Sequence, residues 1–122
     1  MILNLTQHPA TSEQITAGVV DLSDDRLAVL KALLNFGELP TRSEINDVAQ
    51  DIAMLAMFCF EPADQKQAMI GGAPFLMGAL ESALLERSIV PVYAFSKRDS
   101  VEEVQEDGSV KKINVFRHAG FI

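Results

Sequence analysis

Three short apolar runs, each closed by turn or polar residues, constrain this chain more than any other feature. Ile2, Leu3 and Leu5 form the first, which ends at Thr6. Ala68-Met69-Ile70 forms the second and is closed by Gly71-Gly72. Val90-Pro-Val-Tyr-Ala-Phe95 forms the third, with Pro91 near its start, where a missing N–H is tolerated. Runs this short, rich in β-branched or aliphatic residues, read as buried strands. Helical patterns lie between them, and a strand–helix–strand order implies a parallel sheet with helices packed on it.

The helices carry their own start signals. Thr11-Ser-Glu-Gln14 matches the capping box and predicts a helix from about Ser12 to Val19. Ser23 and Asp24 can cap a second helix, with Leu27, Leu30, Leu33 and Leu34 on one face. Leu33 to Phe36 reads either as its last turn or as a short second strand. Thr41-Arg-Ser-Glu44 is another capping box, and Ile45, Val48, Ala49, Ile52, Ala53, Ala56 and Cys59 follow at helical spacing. Pro74 suits the first turn of a helix reaching about Arg87. Ser100–Gln105 and Val110–Phe116 flank Asp107-Gly108, a strong hairpin signal. The expected fold is therefore α/β: one Rossmann-like three-layer domain over residues 1–122, with a short parallel sheet flanked by helices and a C-terminal β-hairpin.

Composition narrows the function classes. The chain has 122 residues, 48% of them hydrophobic, enough for one domain with a real core. Its formal charge of −7 is uneven: residues 1–64 hold ten acids against three bases, whereas residues 65–122 hold seven of each. An acidic chain is poorly suited to duplex DNA, which needs several Lys/Arg–phosphate contacts. No apolar run approaches the roughly 20 residues that span a bilayer. Cys59 is alone, so no internal disulfide forms. These features read as a soluble, cytoplasmic protein with no membrane partner.

In an open parallel sheet, ligands sit beyond the carboxyl ends of the strands. That rule singles out three loops, at 6–11, 71–74 and 96–99. Gly71 and Gly72 let a backbone approach a phosphate at a helix start, or simply make a tight turn. Thr6, Gln7 and His8 offer a hydroxyl, an amide and an imidazole, or end a strand and shape a loop. Ser96, Lys97 and Arg98 follow the third strand, where a basic pair either neutralises a phosphate or is a solvated surface pair. His118, after Arg117, has no role that spacing alone assigns. Cys59 lies on an apolar helix face and reads as a core residue. His8, His118 and Cys59 lack metal-ligand spacing, so no metal or cofactor is expected.

Several stretches together resemble a known family. They are Gln7-His-Pro-Ala-Thr-Ser-Glu-Gln14, Gly71-Gly72 with its helix, Val90-Pro-Val-Tyr-Ala-Phe-Ser-Lys-Arg98, Asp107-Gly-Ser-Val-Lys-Lys112 and Val115-Phe-Arg-His-Ala-Gly-Phe121. In order and spacing they resemble the small CRISPR-associated, CARF-like ring nucleases, over roughly half the chain. Residues 20–66 fall outside the resemblance, and Ala119-Gly120 stands where that family often carries a further basic residue. The resemblance implies a homodimer that binds cyclic oligoadenylate, a small anionic nucleotide ligand. Some members also cleave that ring without a metal, by attack of a ribose 2′-hydroxyl on the adjacent phosphate. On the matching positions, Gln7, His8, Gly71 and Arg98 would line the ligand site, and His118 is the matching closing histidine, to which the match gives no role. With the loop residues read above, the candidates for cleavage are His8 and Arg98, and those for holding the ligand are Thr6, Gln7, Gly71, Gly72, Ser96, Lys97 and His118. Two other readings stand beside it: a non-catalytic module that binds a protein partner through the acidic N-terminal half, with an exposed apolar patch on the 24–36 or 44–60 helix, and an enzyme that acts on another small nucleotide or phosphorylated metabolite through the same loops.

Overall fold

The computed structural model describes residues 1–122. Four short parallel strands form its sheet: β1 (Ile2–Asn4), β2 (Val19–Val20), β3 (Gln67–Met69) and β4 (Val90–Val92), in the order β2-β1-β3-β4. The register sets Ile2 beside both Val19 and Gln67, and Gln67 beside Val90. Four helices connect the strands: α1 (Ser12–Thr16), α2 (Asp24–Leu34), α3 (Arg42–Met57) and α4 (Pro74–Glu86). The chain closes with two long antiparallel strands, β5 (Ala94–Val104) and β6 (Val110–Phe121), which form a separate two-stranded sheet. This is the expected small α/β domain with a short parallel sheet, flanking helices and a C-terminal hairpin.

The strand order dictates which face each helix covers. The chain leaves β1 in one direction to make β2 and in the other to make β3 and β4. Right-handed crossovers then put α1 on one face and α2, α3 and α4 on the other. The two apolar clusters obey this rule. Leu3, Leu5, Ala68 and Ile70, alternating along β1, β3 and their ends, pack with Leu30 of α2, Ile52 and Ala56 of α3, and Leu76, Leu80 and Leu84 of α4. The alternate residues Met69 and Val92 face the other way, with Val19, Ile2, Ala10 and Phe121. That second layer is thin, because α1 has only five residues and the C-terminal end of β6 completes the cover.

Helix starts follow the capping signals. Thr11 makes a full capping box with Gln14: its hydroxyl accepts from the Gln14 N–H at 3.2 Å, and its own N–H donates to Gln14 Oε1 at 3.0 Å. At Thr41 only half of the box forms, with the Glu44 N–H donating to the Thr41 hydroxyl at 3.1 Å. Pro74 occupies the first turn of α4, which has no side-chain cap.

Two expectations need correction, and one open alternative is decided. The first helix stops at Thr16 rather than Val19, because Gly18 takes φ +105° and turns the chain back into β2, whose register then pairs Val19 with Ile2. The segment after Leu34 is not a strand; Asn35 is the extended C-cap of α2, and the second strand is Val19–Val20. The strand expected over Val90–Phe95 is β4, and it ends at Val92, not near Ser96. Tyr93 instead exchanges two 2.9 Å main-chain hydrogen bonds with Ile122, and the chain departs into β5, so residues 96–99 form part of a strand and not a loop.

The hairpin is longer than the sequence implied. A five-residue loop closes it, with the Gln105 N–H donating to the Ser109 carbonyl at 2.7 Å and Gly108 at φ +83°. Pairing runs from Val104–Val110 down to Ala94–Phe121, with Ala119 as an extra residue between the Phe95–Gly120 and Ser96–His118 pairs. Gly120, at φ +150°, accommodates that bulge. No helix is long and apolar enough to cross a membrane.

Candidate functional site

A polar side chain inside the first strand builds the site. Asn4 is 3% exposed, the one buried polar residue of the chain. A buried amide must be satisfied on both ends. Its Nδ2 donates to the His8 carbonyl at 2.8 Å and to Asp21 Oδ1 at 2.8 Å. Its Oδ1 accepts from the Thr6 N–H at 2.9 Å and from the Thr6 hydroxyl at 2.7 Å. All four hydrogen-bonding positions of the amide are used. Asp21 also accepts from the Ala10 N–H at 3.0 Å, so the loop between β1 and α1 is tied at both ends. Asn4 and Asp21 were not singled out from the sequence. The signal was a lone Asn within Ile-Leu-Asn-Leu, a polar residue in a strand that is otherwise apolar.

This loop forms one wall of a cavity of about 470 Å³. Thr6, Gln7, His8, Thr11 and Gln14 line that wall; Met69, Ile70, Gly71 and Gly72 line the end of β3; Tyr93 and Ala94 complete it. In the β2-β1-β3-β4 order, β1 and β3 are the neighbours at which the winding reverses. Ligands of open α/β sheets occupy the crevice at the carboxyl ends of such a pair. The volume falls in the range of small-ligand sites.

The cavity wall contains no carboxylate and no Lys or Arg. Its titratable groups are His8 and Tyr93. Burial raises the Tyr93 phenol above its ordinary 10.0, and the Glu81 carboxylate adds to the shift, so the hydroxyl is a neutral donor at physiological pH. The start of α4 adjoins Gly71-Gly72 and has main-chain N–H groups without a side-chain cap. Gly72 takes φ +143°, a backbone position that L side chains rarely adopt. A Cβ on Gly71 would lie 3.6 Å from Thr6 Cγ2, an ordinary contact. Lys31 lines an adjoining hollow that shares Gln7 with the main cavity.

The nine candidate residues divide into two groups. Thr6, Gln7, His8, Gly71 and Gly72 converge on the cavity. Ser96, Lys97, Arg98 and His118 lie on the hairpin. Arg98 is four residues beyond Ala94 on an extended strand, roughly 13 Å along the chain by strand rise. Its guanidinium sits over the Phe116 ring, 5.7 Å from the centroid. Lys97 faces Arg117 across the ladder, and Arg117 pairs with Asp99 at 3.5 Å. His118 anchors the hairpin base: its main-chain N–H donates to Glu13 Oε2 at 3.1 Å, and its ring packs on Phe121 at 4.7 Å. Cys59 is half-buried against the core, and its thiol donates to the Leu55 carbonyl at 3.5 Å. No cluster of His, Cys, Asp and Glu side chains is arranged to hold a metal ion.

Across its full length, residues 1–122, the chain matches the model of a family described as "Uncharacterized protein MJ1673 family". The chain belongs to that family. No curated protein and no solved structure matches it. The family description names no reaction, so the functional reading rests on the cavity and its residues.

Proposed function

We propose that the chain binds a small anionic nucleotide in the cavity between the ends of β1 and β3, and that the ligand class is cyclic oligoadenylate. One observation supports this above the others. Thr6, Gln7, His8, Gly71 and Gly72, separated by more than sixty residues of sequence, line a single cavity at the point where the sheet reverses its winding. The glycines and the uncapped start of α4 supply main-chain donors for a phosphate. Gln7 and Thr6 supply groups for a ribose hydroxyl, and the Tyr93 ring supplies an apolar wall. The class is narrowed by the residue pattern that resembles CARF-like ring nucleases.

A cavity of about 470 Å³ suits one nucleotide-sized part of such a ring. A whole ring exceeds it, so two copies of the chain share one ligand across a two-fold axis. If the ring is cleaved, the ribose 2′-oxygen forms a bond to the adjacent phosphorus and the 5′-oxygen leaves with a proton. His8 is the cavity group able to move that proton, and the residues around it need only align attack and stabilise charge. Lys97 and Arg98 lie on the hairpin, outside the cavity of their own chain, and this reading gives them no role.

The test is calorimetric titration with cyclic tetra-adenylate and cyclic hexa-adenylate, with AMP and linear oligoadenylate as controls. Chromatography of the products accompanies it. Saturable binding of a ring, abolished by His8→Ala or Gln7→Ala, is the expected result. Linear products with cyclic phosphate ends would make the protein an enzyme. Absence of binding to either ring would remove the reading. A protein-binding module would then be favoured by a different observation: Met54, Met57 and Phe58 are exposed at the end of α3, Phe58 by 73%.

A further inference from the structure

The hairpin poses a problem of its own. Two strands of 11 and 12 residues form a sheet apart from the main one. At the usual rise they span on the order of 35 Å. An isolated two-stranded hairpin is marginally stable in water, and each of its outer edges offers unpaired main-chain groups. Phe116 is 66% exposed, and Val104 and Val110 are exposed near the tip. Long, flat edges are commonly blunted by a proline, a bulge or charged side chains, and the charges of β5 guard it against partners that do not match them. The one bulge here is on β6, beside Ala119, and β5 is regular from Ser96 to its tip.

The β5 edge carries a charge pattern with a particular symmetry. Its sequence is Lys97-Arg98-Asp99-Ser100-Val101-Glu102-Glu103. Ser100 is the centre. Arg98 and Glu102 stand two residues to either side of it, and Lys97 and Glu103 stand three. A two-fold axis through an antiparallel strand pair inverts sequence about one point. Centred on Ser100, the inversion sets Lys97 opposite the second copy's Glu103, and Arg98 opposite its Glu102. Every directly opposed charge pair is then of opposite sign, four pairs in all, and Asp99 opposes the partner's uncharged Val101. The β6 edge has no such property: inversion about Asn114 opposes Lys111 to Arg117.

We infer that β5 is a homotypic docking edge, and that two copies of this chain join β5 to β5 in antiparallel register about Ser100. The product is a four-stranded sheet in the order β6-β5-β5-β6. The observed ladder already sets Glu102 beside Lys112 and Glu103 beside Lys111. Joining the edges extends these pairs into rows. On one face, Lys112, Glu102 and the partner's Arg98 lie side by side, with the partner's Phe116 beyond. On the other, Lys111 and Glu103 meet the partner's Lys97. Around the axis, each row on the Val101 face reads Ile113, Val101, the partner's Asp99 and the partner's Val115, and each Asp99 keeps its Arg117 partner at 3.5 Å. This axis lies at Ser100, roughly 20 Å along β5 from the cavity, so the joint is separate from any two-fold axis at a shared ring and holds or falls without a nucleotide.

The experiment places single cysteines in a Cys59→Ser background. Residues directly opposite in an antiparallel pair have Cα atoms about 4.5–5.5 Å apart. That spacing is within disulfide range. Ser100→Cys is the substitution that faces its own copy, so it is expected to form a covalent dimer under mild oxidation. Asn114→Cys, opposite Ser100 within the hairpin, lies three strand spacings, about 14 Å, from its counterpart and is expected to stay monomeric. In parallel, Lys97→Glu/Arg98→Glu makes the edge wholly acidic near its centre, and Glu102→Lys/Glu103→Lys makes it basic. Each variant alone is expected to self-associate about tenfold more weakly or worse in sedimentation, and the two mixed to recover association. Efficient cross-linking of Asn114→Cys with none at Ser100→Cys would overturn the inference by putting the joint on β6. A native chain that sediments as a monomer at high micromolar concentration, with no Ser100→Cys dimer, would also overturn it. So would two charge variants that self-associate as well as the native chain.

Discussion

Asn4 and Asp21 share a 2.8 Å hydrogen bond beneath the cavity floor, between the first strand and the start of the second crossover. Through its other contacts the Asn4 amide also fixes Thr6 and the His8 carbonyl, so the loop bearing Gln7 and His8 is held from below. Asn4→Ala leaves the Thr6 N–H and the His8 carbonyl without that partner. The expected loss is about 1–3 kcal/mol of stability, measured by urea denaturation, with ligand binding lost in the fraction that stays folded. Asn4→Asp is expected to be worse than Asn4→Ala at neutral pH, because two carboxylates then face each other and neither donates. If Asn4→Asp were as stable as the native chain, the network would not be what holds the loop.

The two glycines after β3 separate backbone strain from cavity filling. Gly72 at φ +143° has a conformation that alanine adopts only with strain, so Gly72→Ala should cost about 1–3 kcal/mol. Gly71 has ordinary φ, and its new methyl would meet only Thr6 Cγ2 at 3.6 Å. Gly71→Ala should therefore fold with near-native stability while narrowing the cavity mouth. A thermal melt combined with a ligand titration checks both: Gly72→Ala lowers the melting temperature, whereas Gly71→Ala lowers affinity alone.

Tyr93 is the chain's one tyrosine, and there is no tryptophan, so its near-ultraviolet signal reports the cavity wall alone. Burial, then Glu81, raise its folded-state phenol above 10.0. The neutral form is favoured in the folded state. Its contribution to stability is thus complete below pH 10.0 and disappears as the pH rises through the raised value. A spectrophotometric titration should find a midpoint above 10.0 in the native protein, lowered in Glu81→Gln and returned to the ordinary value in denaturant. A ligand in the cavity should displace the midpoint again.

Asp107 gives the opposite sign at the hairpin tip. The Ser109 hydroxyl, and then its main-chain N–H at 2.9 Å, hydrogen-bond the carboxylate and hold its pKa below 3.8. The stabilisation is present above the ordinary value and disappears as the pH falls through the lowered one. Carboxyl-carbon NMR titration should show a depressed midpoint that Ser109→Ala moves back toward 3.8.

The sequence made some elements legible and concealed others for identifiable reasons. Capping residues and helical spacing located α1, α3 and α4 because those signals lie within a few residues of one another. Gly71-Gly72 and the first loop were legible as the walls of one cavity because strand ends in a parallel sheet share one edge. β2 was concealed because two residues, Val19-Val20, carry no periodicity; their strand character comes from pairing with Ile2 and Leu3. Gly18, the residue that stops α1, was the available signal. Lys97 and Arg98 were expected at the sheet mouth because Val90 to Phe95 reads as one continuous strand. What breaks it is Tyr93 pairing with Ile122, a contact across the whole hairpin that no local pattern encodes. Asn4 was likewise concealed, since its partner Asp21 is 17 residues away.

The base of the hairpin depends on one side chain of α1. Glu13 Oε2 accepts the His118 main-chain N–H at 3.1 Å, which joins the first helix to the last strand. Glu13 also sits in the first turn of α1, where a negative charge favours the helix start. Glu13→Gln keeps an acceptor and should change little. Glu13→Ala removes it and should cost about 0.5–1.5 kcal/mol, felt locally rather than across the fold. Native-state hydrogen exchange resolves this: amides near Ser96 and His118 should exchange faster in Glu13→Ala, while those of Leu3 and Leu80 in the core keep their protection. Equal acceleration in the core would mean that the hairpin and the parallel sheet unfold as one unit, and that this contact bears on the whole domain.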